Sequence, residues 1–249
     1  MQKKDTADKL KKRPPSVLGV IPARGGSKRL PRKNIKKLCG QPLIAYTIQA
    51  AQKASLLTDF LVSSEDEEIL EIARSYGAPT PFKRPERLAT DSIRNIDVVA
   101  HAMHYMEKKN QLQYDVLILL QPTCPVRDPS HIDEAIQLLA ESDLETVVSV
   151  KGPYKKRDPI LKRIKNGVLE AYCSTGNAAE IEPFYLYNAS IYGVKRSYFV
   201  KENKLISDRQ APLIMDQYHS IDIDTEADFL VAEAYLKFTN KLNHTSNKT

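Results

Sequence analysis

Residues 22–34 read PARGGSKRLPRKN and gather Arg24, Lys28 and Lys33 around two adjacent glycines, Gly25 and Gly26. Glycines let a backbone approach a ligand closely with its N–H groups turned inward, and the cations neutralise several phosphate charges. The segment therefore reads as a cradle for a polyphosphate. Spacing excludes two commoner phosphate loops: Gly40 is followed by Gln41 where a GxxxxGK[ST] loop needs lysine, and GGSKRL does not supply GxGxxG. Taken singly, Arg29, Arg32, Lys36 and Lys37 read as solvated surface charge.

The opposite charge stands at Asp222 and Asp224 in SIDIDTEADF. Two residues apart on an extended chain, they face one way while Ile221 and Ile223 turn to the core. Two carboxylates on one face suit Mg2+, a hard cation often held by one or two carboxylates together with substrate phosphates. The same stretch also reads as a helix start, with Asp224 or Thr225 as N-cap and Asp228 in the first turns. A third landmark, LLQPTCPVRDPSHI, delivers Gln121, Thr123 and Arg127, with Pro122 and Pro125 fixing the chain direction. Its neutral amide and hydroxyl suit a sugar or the sugar's amide substituent. His101 and His104 lack a third ligand at metal-binding spacing and read as structural. Cys124 has no evident base partner and reads as a small packing residue.

An alternation of elements brings these landmarks together. SVLGVIPA (16–23) is a short apolar run rich in β-branched residues and ended by a glycine turn, which predicts a central strand. Residues 42–55 carry helical periodicity with Pro42 in the first turn, and 58–65 form a second strand. A helix follows over 64–78, with Ser64 as N-cap and Gly77 at its stop. The pattern continues through a helix at 92–109, a strand at 114–123, a helix at 129–142 and a strand at 144–151. Strands apolar on both faces and separated by helices predict an α/β doubly wound fold with a mostly parallel, Rossmann-like sheet. Ligands of such sheets bind at the carboxyl ends of the strands, where the basic segment and Gln121 fall. The alternation fails between Gly152 and Tyr187, and 152–187 reads as a small arm or lid. The core resumes at NASIYGVK (188–195) and closes with a helix at 226–238.

The chain of 249 residues is long enough for one domain with a substantial core, taken as 16–238 between flexible tails at 1–15 and 239–249. The net charge of +6 comes largely from the basic tail, which supplies +4, and the remainder does not call for nucleic acid. Cys39, Cys124 and Cys173 are far apart and odd in number, which fits a reducing compartment rather than a disulfide framework. With no signal peptide and no apolar run near the ~20 residues of a span, the expectation is a cytoplasmic protein without membrane contact.

IPARGGSKRLPRKNI, RPERLATDS, LLQPTCPVR, NASIY and SIDIDTEADF stand in the order found in the cytidylyltransferases that activate nine-carbon acidic sugars. From about Val17 to Leu236 the chain resembles this CMP-sialic acid synthetase (N-acylneuraminate cytidylyltransferase) family and its legionaminic acid relatives. The resemblance implies transfer of a cytidylyl group from CTP to a 2-keto-3-deoxy sugar acid, with Mg2+ and a homodimer whose arm crosses to the neighbour. Carried over by position, Ala23, Arg24, Gly25, Gly26, Ser27, Lys33, Asn34, Arg84, Asp91 and Asn95 meet the nucleotide. Gln121, Thr123, Tyr187 and Asn188 meet the sugar, and Asp222 and Asp224 hold the metal. Arg24, Lys33, Asp222 and Asp224 carry the catalysis.

The sequence departs from that pattern in two places. Asn95 stands where a serine or threonine is frequent. The family usually has two arginines shortly before the NGAIY strand, one of which pairs with the sugar carboxylate, yet no arginine lies between Cys173 and Tyr192. Lys155, Lys156, Arg157, Lys162, Arg163 and Arg209 are the remaining candidates, and Tyr185 and Tyr187 offer stacking or hydroxyl contacts. NASIY in place of NGAIY leans towards a legionaminic-type acceptor. A KDO cytidylyltransferase is the related alternative, since PARxxSxRLPxK also resembles that family, and a non-catalytic nucleotide-binding homologue is the other.

Overall fold

The computed structural model describes residues 13–154, 162–171 and 184–246. Strand β1 (Val17–Pro22) leads through the basic segment to a short hairpin, β2 (Lys37–Leu38) and β3 (Gln41–Pro42). Then come α1 (Leu43–Lys53), β4 (Asp59–Ser63), α2 (Glu67–Ser75), α3 (Asn95–Asn110), β5 (Val116–Leu120), α4 (Pro129–Glu141) and β6 (Thr146–Tyr154). A second hairpin, β7 (Lys162–Lys165) and β8 (Val168–Ala171), precedes β9 (Phe184–Lys195), α5 (Arg196–Glu202), β10 (Ala211–Met215) and α6 (Glu226–Ser246).

The six-stranded sheet has the order β10-β6-β9-β5-β1-β4, and every strand but β9 runs in one direction. The reversal has a simple cause. β6 leaves the sheet at Tyr154 and β9 enters it at Phe184, paired with that same end, so the two adjacent strands run antiparallel. The expected arm is thus rooted in the sheet: β6 extends to Tyr154 and β9 begins at Phe184. Its Lys155, Lys156 and Arg157 lie outside the described residues, and Lys162 and Arg163 fall in β7. Near the end of β9 a Cβ on Gly193 would stand 2.6 Å from Val147 Cγ1 and 2.8 Å from Ile118 Cδ1, so only glycine fits between β5 and β6.

Alternation along β1 distributes the core to the two faces. Val17 and Ile21 pack with Ile44 and Ile48 of α1, Ile69 of α2, and Ile132 and Ile136 of α4. Leu18 and Val20 face the other way, with Ile96, Val99 and Met103 of α3 and Phe199 of α5. Each fully buried side chain of this kind contributes about 1.5–3 kcal/mol. A third, smaller cluster joins Leu30 of the basic segment to Leu38, Leu43, Ile223 and Phe229. It fastens the two oppositely charged stretches to one another.

Several boundaries differ from the sequence expectation. Pro42 is the N-cap of α1 rather than a first-turn residue. Asp66, not Ser64, caps α2: its carboxylate accepts the Ile69 N–H, while the Ser64 hydroxyl accepts the Asp66 N–H at 3.1 Å. α3 starts at Asn95, and α6 continues beyond Phe238 to Ser246. At the head of α6 the open choice of cap falls to Thr225, whose hydroxyl accepts the Asp228 N–H at 3.3 Å, while Asp228 Oδ2 accepts the Thr225 N–H at 2.8 Å. β10 and α5 were not anticipated; Pro212 masked the alternating Ala211, Leu213 and Met215 of an edge strand. Residues 1–12 of the basic tail lie outside the described residues, and Arg13 already pairs with Asp115 at 3.1 Å. Among the described residues no helix is long and apolar enough to cross a membrane.

Candidate active site

A cleft of about 470 Å3 opens at the carboxyl ends of β1 and β5. Its basic wall is the segment after β1, represented by Arg24, Ser27, Lys28, Arg29, Lys33 and Asn34. Each cation there has an acidic partner. Arg24 donates to Asp91 at 2.7 Å and Lys28 reaches the other oxygen of the same carboxylate at 2.5 Å. Arg29 and Lys33 pair with Asp224 at 3.0 and 3.2 Å, and Lys33 also donates to the Ile223 carbonyl at 2.6 Å. Arg32, outside the lining, is bound to Asp66 and Glu68. Arg29 and Arg32 are therefore engaged rather than free in solvent. Lys36 is likewise paired with Glu226, at 2.5 Å.

The glycines do a different job from the one expected. The Gly25 N–H does not point inward for a ligand; it donates to Glu65 at 2.8 Å. A Cβ on Gly25 would fall 2.3 Å from Asp66 Oδ2, so glycine is needed here because α2's acidic head packs on the segment. Gly26 has open space around it. Neither glycine lines the cleft, and nor does Ala23. Behind them lies a buried ion pair: Arg84 donates to Glu65 Oε2 at 2.6 Å and to the Ala23 carbonyl at 3.3 Å. Arg84 lines the cleft while holding the end of β1 in place, and its Nε has no partner among the described residues. Sequence reasoning missed Glu65. Its position two residues past the end of β4, the parallel neighbour of β1, was the available signal.

The facing walls come from three other elements. Asn34 donates to the Arg24 carbonyl at 3.0 Å, which stiffens the turn. Asn95, Ile93 and Val98 bring the start of α3 to the cleft, and Arg94 offers no side-chain cap there. The positive end of a helix dipole thereby faces the same space as the lysines. Gln121 and Thr123 lie at the end of β5. Arg127, expected beside them, is instead fully buried and donates to the carbonyls of Gln121 at 2.8 Å and Ser190 at 2.7 Å. Burial pulls its guanidinium down to about 10, which leaves it charged near neutrality.

Asp222 and Asp224 do not sit on a regular strand, and they differ. Asp224 lines the cleft. Asp222 is half-buried behind it, with Oδ1 3.8 Å from Cys124 Sγ. Burial pushes the Asp222 carboxyl above its ordinary range, the Thr123 hydroxyl draws it back, and Asp224 adds to the rise. Ile223 between them is buried, as the alternation required. Burial also pushes the Cys124 thiol up to about 12, so it is inert as a nucleophile. His101 packs edge-on against Phe82, a structural role.

A family model described as cytidylyltransferase matches residues 18–221. The chain belongs to that family. Like its other members this cytidylyltransferase is a nucleotidyltransferase enzyme. It is 34% identical to a CMP-N,N'-diacetyllegionaminic acid synthase of Legionella pneumophila, over 90% of this chain and 98% of that one. Identity to an N-acylneuraminate cytidylyltransferase of Escherichia coli is 31%, over 93% of this chain and 58% of the longer relative. A pseudaminic acid cytidylyltransferase of Campylobacter jejuni is 28% identical over 92% of this chain and 98% of its own. Among solved structures, a CMP:2-keto-3-deoxy-manno-octonic acid synthetase complexed with CTP superposes with a TM-score of 0.68 at 17% identity, covering 90% of this chain and 99% of that one. A 4-diphosphocytidyl-2C-methyl-D-erythritol synthase gives 0.65 at 11% identity, covering 89% and 99%. At these identities the two structures establish the shared fold.

The donor set of this cytidylyltransferase limits which metal it fits. Among the described residues no group of three or more His, Cys, Asp or Glu side chains is placed to hold an ion. Two carboxylates beside a cationic cleft fit Mg2+ completed by phosphate oxygens and water, and do not fit an all-protein zinc cage. Two residues assigned to the sugar are placed elsewhere. Tyr187 is exposed, with its hydroxyl donating to Gln210 at 2.8 Å. Asn188 is buried, and its amide is already saturated by protein partners.

Proposed function

We propose that this cytidylyltransferase transfers the cytidylyl group of CTP to the anomeric hydroxyl of a nine-carbon 2-keto-3-deoxy sugar acid of sialic or legionaminic type, releasing pyrophosphate. The observation that carries this reading is the convergence of Arg24, Lys28, Lys33 and the start of α3 with Asp224 on one cleft at the carboxyl edge of the sheet. In the reaction the anomeric oxygen forms a bond to the α-phosphorus and the bond to the β-phosphate breaks. Negative charge gathers on the oxygens around both. Lys33 and Arg24 are the cations placed to stabilise it, and positioning carries most of the remaining acceleration.

Asp222 and Asp224 would hold Mg2+, which when bound would supply further charge neutralisation on the phosphates. The apolar side of the cleft, with Leu30, Leu88, Ile93 and Val98, suits the base and ribose. Gln121 and Thr123 offer the neutral amide and hydroxyl for the sugar. The relatives' names support a nonulosonic acceptor, and KDO synthetase enters only through the fold. Use of CTP fits action in the cytoplasm. A homodimer fits the root of the arm, where Tyr154, Tyr185, Leu186 and Tyr187 stand exposed together.

The test is pyrophosphate release from CTP and Mg2+ with sialic, legionaminic, pseudaminic and KDO acceptors in turn. Turnover with one nine-carbon acid, lost in Asp224→Ala, is the expected result. Turnover with KDO alone, or CTP binding with no turnover on any acceptor, overturns it.

A further inference from the structure

We propose that Asn188 and Cys124 are positioning residues that hold Asp222 in register with the cleft. This inference rests on the functional reading above. The observation behind it is that residues 221–224 belong to no helix or strand, so side-chain and single backbone bonds must fix the carboxylate. Ile223 N–H donates to the Thr123 carbonyl at 2.8 Å, which ties the segment to the end of β5. One residue before Asp222's neighbour Ile221, the Ser220 hydroxyl accepts from Asn188 Nδ2 at 2.9 Å.

Asn188 is 2% exposed, and every polar capacity of its amide is in use. Oδ1 accepts from the Ser149 hydroxyl and from the Ser190 N–H at 3.2 Å, while Nδ2 also approaches Met215 Sδ at 3.4 Å. The side chain therefore joins β6, β9, β10 and the segment leading to Asp222. Backbone geometry aims it there. Ala189 sits in the left-handed region at φ 59°, and the β6–β9 pairing shifts register between Val148 and Val150. Bulges of this kind recur beside active sites because they re-aim a side chain.

Cys124 completes the link. Its buried sulfur lies 3.3 Å from the Asn188 backbone carbonyl and 3.8 Å from Asp222 Oδ1, within reach of both acceptors. Asp224 needs no such support, since Lys33 and Arg29 grip it directly. Partners of this sort, which hold a metal ligand without touching the metal, typically change metal affinity about 10–100-fold when removed.

The experiment measures CTP affinity by calorimetry with and without Mg2+, in wild type, Cys124→Ala, Cys124→Ser and Ser220→Ala, alongside thermal midpoints. The gain in affinity on adding Mg2+ should fall about 10-fold in Cys124→Ala and Ser220→Ala. Affinity without Mg2+ should hold, and Cys124→Ser, which keeps a donor, should restore the gain. Alanine variants that retain the full gain overturn the proposal, as does equal loss of affinity with and without Mg2+, which marks a merely structural role. Wild-type protein that shows no gain at all fails the functional reading itself, a different result from either.

Discussion

The two sides of the cleft satisfy their polar groups in opposite ways. On the basic side charge meets charge: Arg24 and Lys28 share Asp91, Arg29 and Lys33 share Asp224, and Arg32 takes Asp66 and Glu68. On the other side, Arg127, Asn188 and Asp222 are buried to varying degrees and met by carbonyls, hydroxyls and a thiol. Ion pairs exposed to water are worth little and exchange easily, so a polyphosphate can displace Asp91 from its two cations at small cost. A buried hydrogen-bond network is expensive to break, because each group left unpaired pays its full desolvation penalty. One wall is built to trade partners and the other to stay still.

The comparison breaks most visibly at Lys33, the least exposed cation of the exchanging wall, with 12% of its side chain open. Lys33→Ala should lower kcat/KM for CTP by about 100- to 1,000-fold in a pyrophosphate-release assay, as for loss of one charge-stabilising donor. Near-normal turnover would return Lys33 to a structural role. On the still wall, Arg127→Met should cost about 2–4 kcal/mol in urea unfolding at neutral pH, since the carbonyls of Gln121 and Ser190 and the Ser190 hydroxyl lose their charged donor. A variant as stable as its parent shows that the network is as loosely held as the ion pairs.

Smaller effects sharpen the boundary between the two walls. The Arg32 hydrogen bond, with help from backbone N–H groups, holds the Asp66 carboxyl below its usual range. A lowered carboxylate contributes stability that is complete above its unfolded pKa near 4 and is lost as pH falls through the folded value. Arg32→Ala should therefore be less stable than wild type at neutral pH, with the gap closing below about pH 4. A gap that persists in acid means packing, not charge, is what Arg32 supplies. Least of all, Asp91→Asn should leave the thermal midpoint within about 1 °C of wild type. It should tighten CTP binding several-fold at low salt, an advantage that shrinks as salt screens it. Weaker binding would instead make Asp91 a nucleotide contact.

Much of this was legible in order along the chain. The strands at 17–22, 59–63, 116–120 and the buried start of β6 announce themselves because burial on both faces demands continuous apolar runs, which such strands display. That Lys33, Gln121 and Asp224 come to one cleft was legible because charge and amide groups beyond the carboxyl ends of apolar strands have few purely structural uses. Glu65 was missed and Asn188 given the wrong partners for the converse reason. Glu65 looked like one more acid at a helix start, and Asn188 like a ligand donor, because a residue's partners across the sheet leave no trace in its neighbours along the chain.

The sequence by itself determined the α/β alternation and the presence of a basic segment and an acidic segment beyond the apolar strands. Local periodicity and residue type are enough for those, since they follow from contacts within a few residues. Only the tertiary structure decided that β9 runs against its neighbours, that Gly25 serves the packing of α2, and that Asp222 and Asp224 occupy unlike environments. Each of these depends on groups tens of residues apart meeting in a close-packed interior, where which donor finds which acceptor is settled by the whole fold at once.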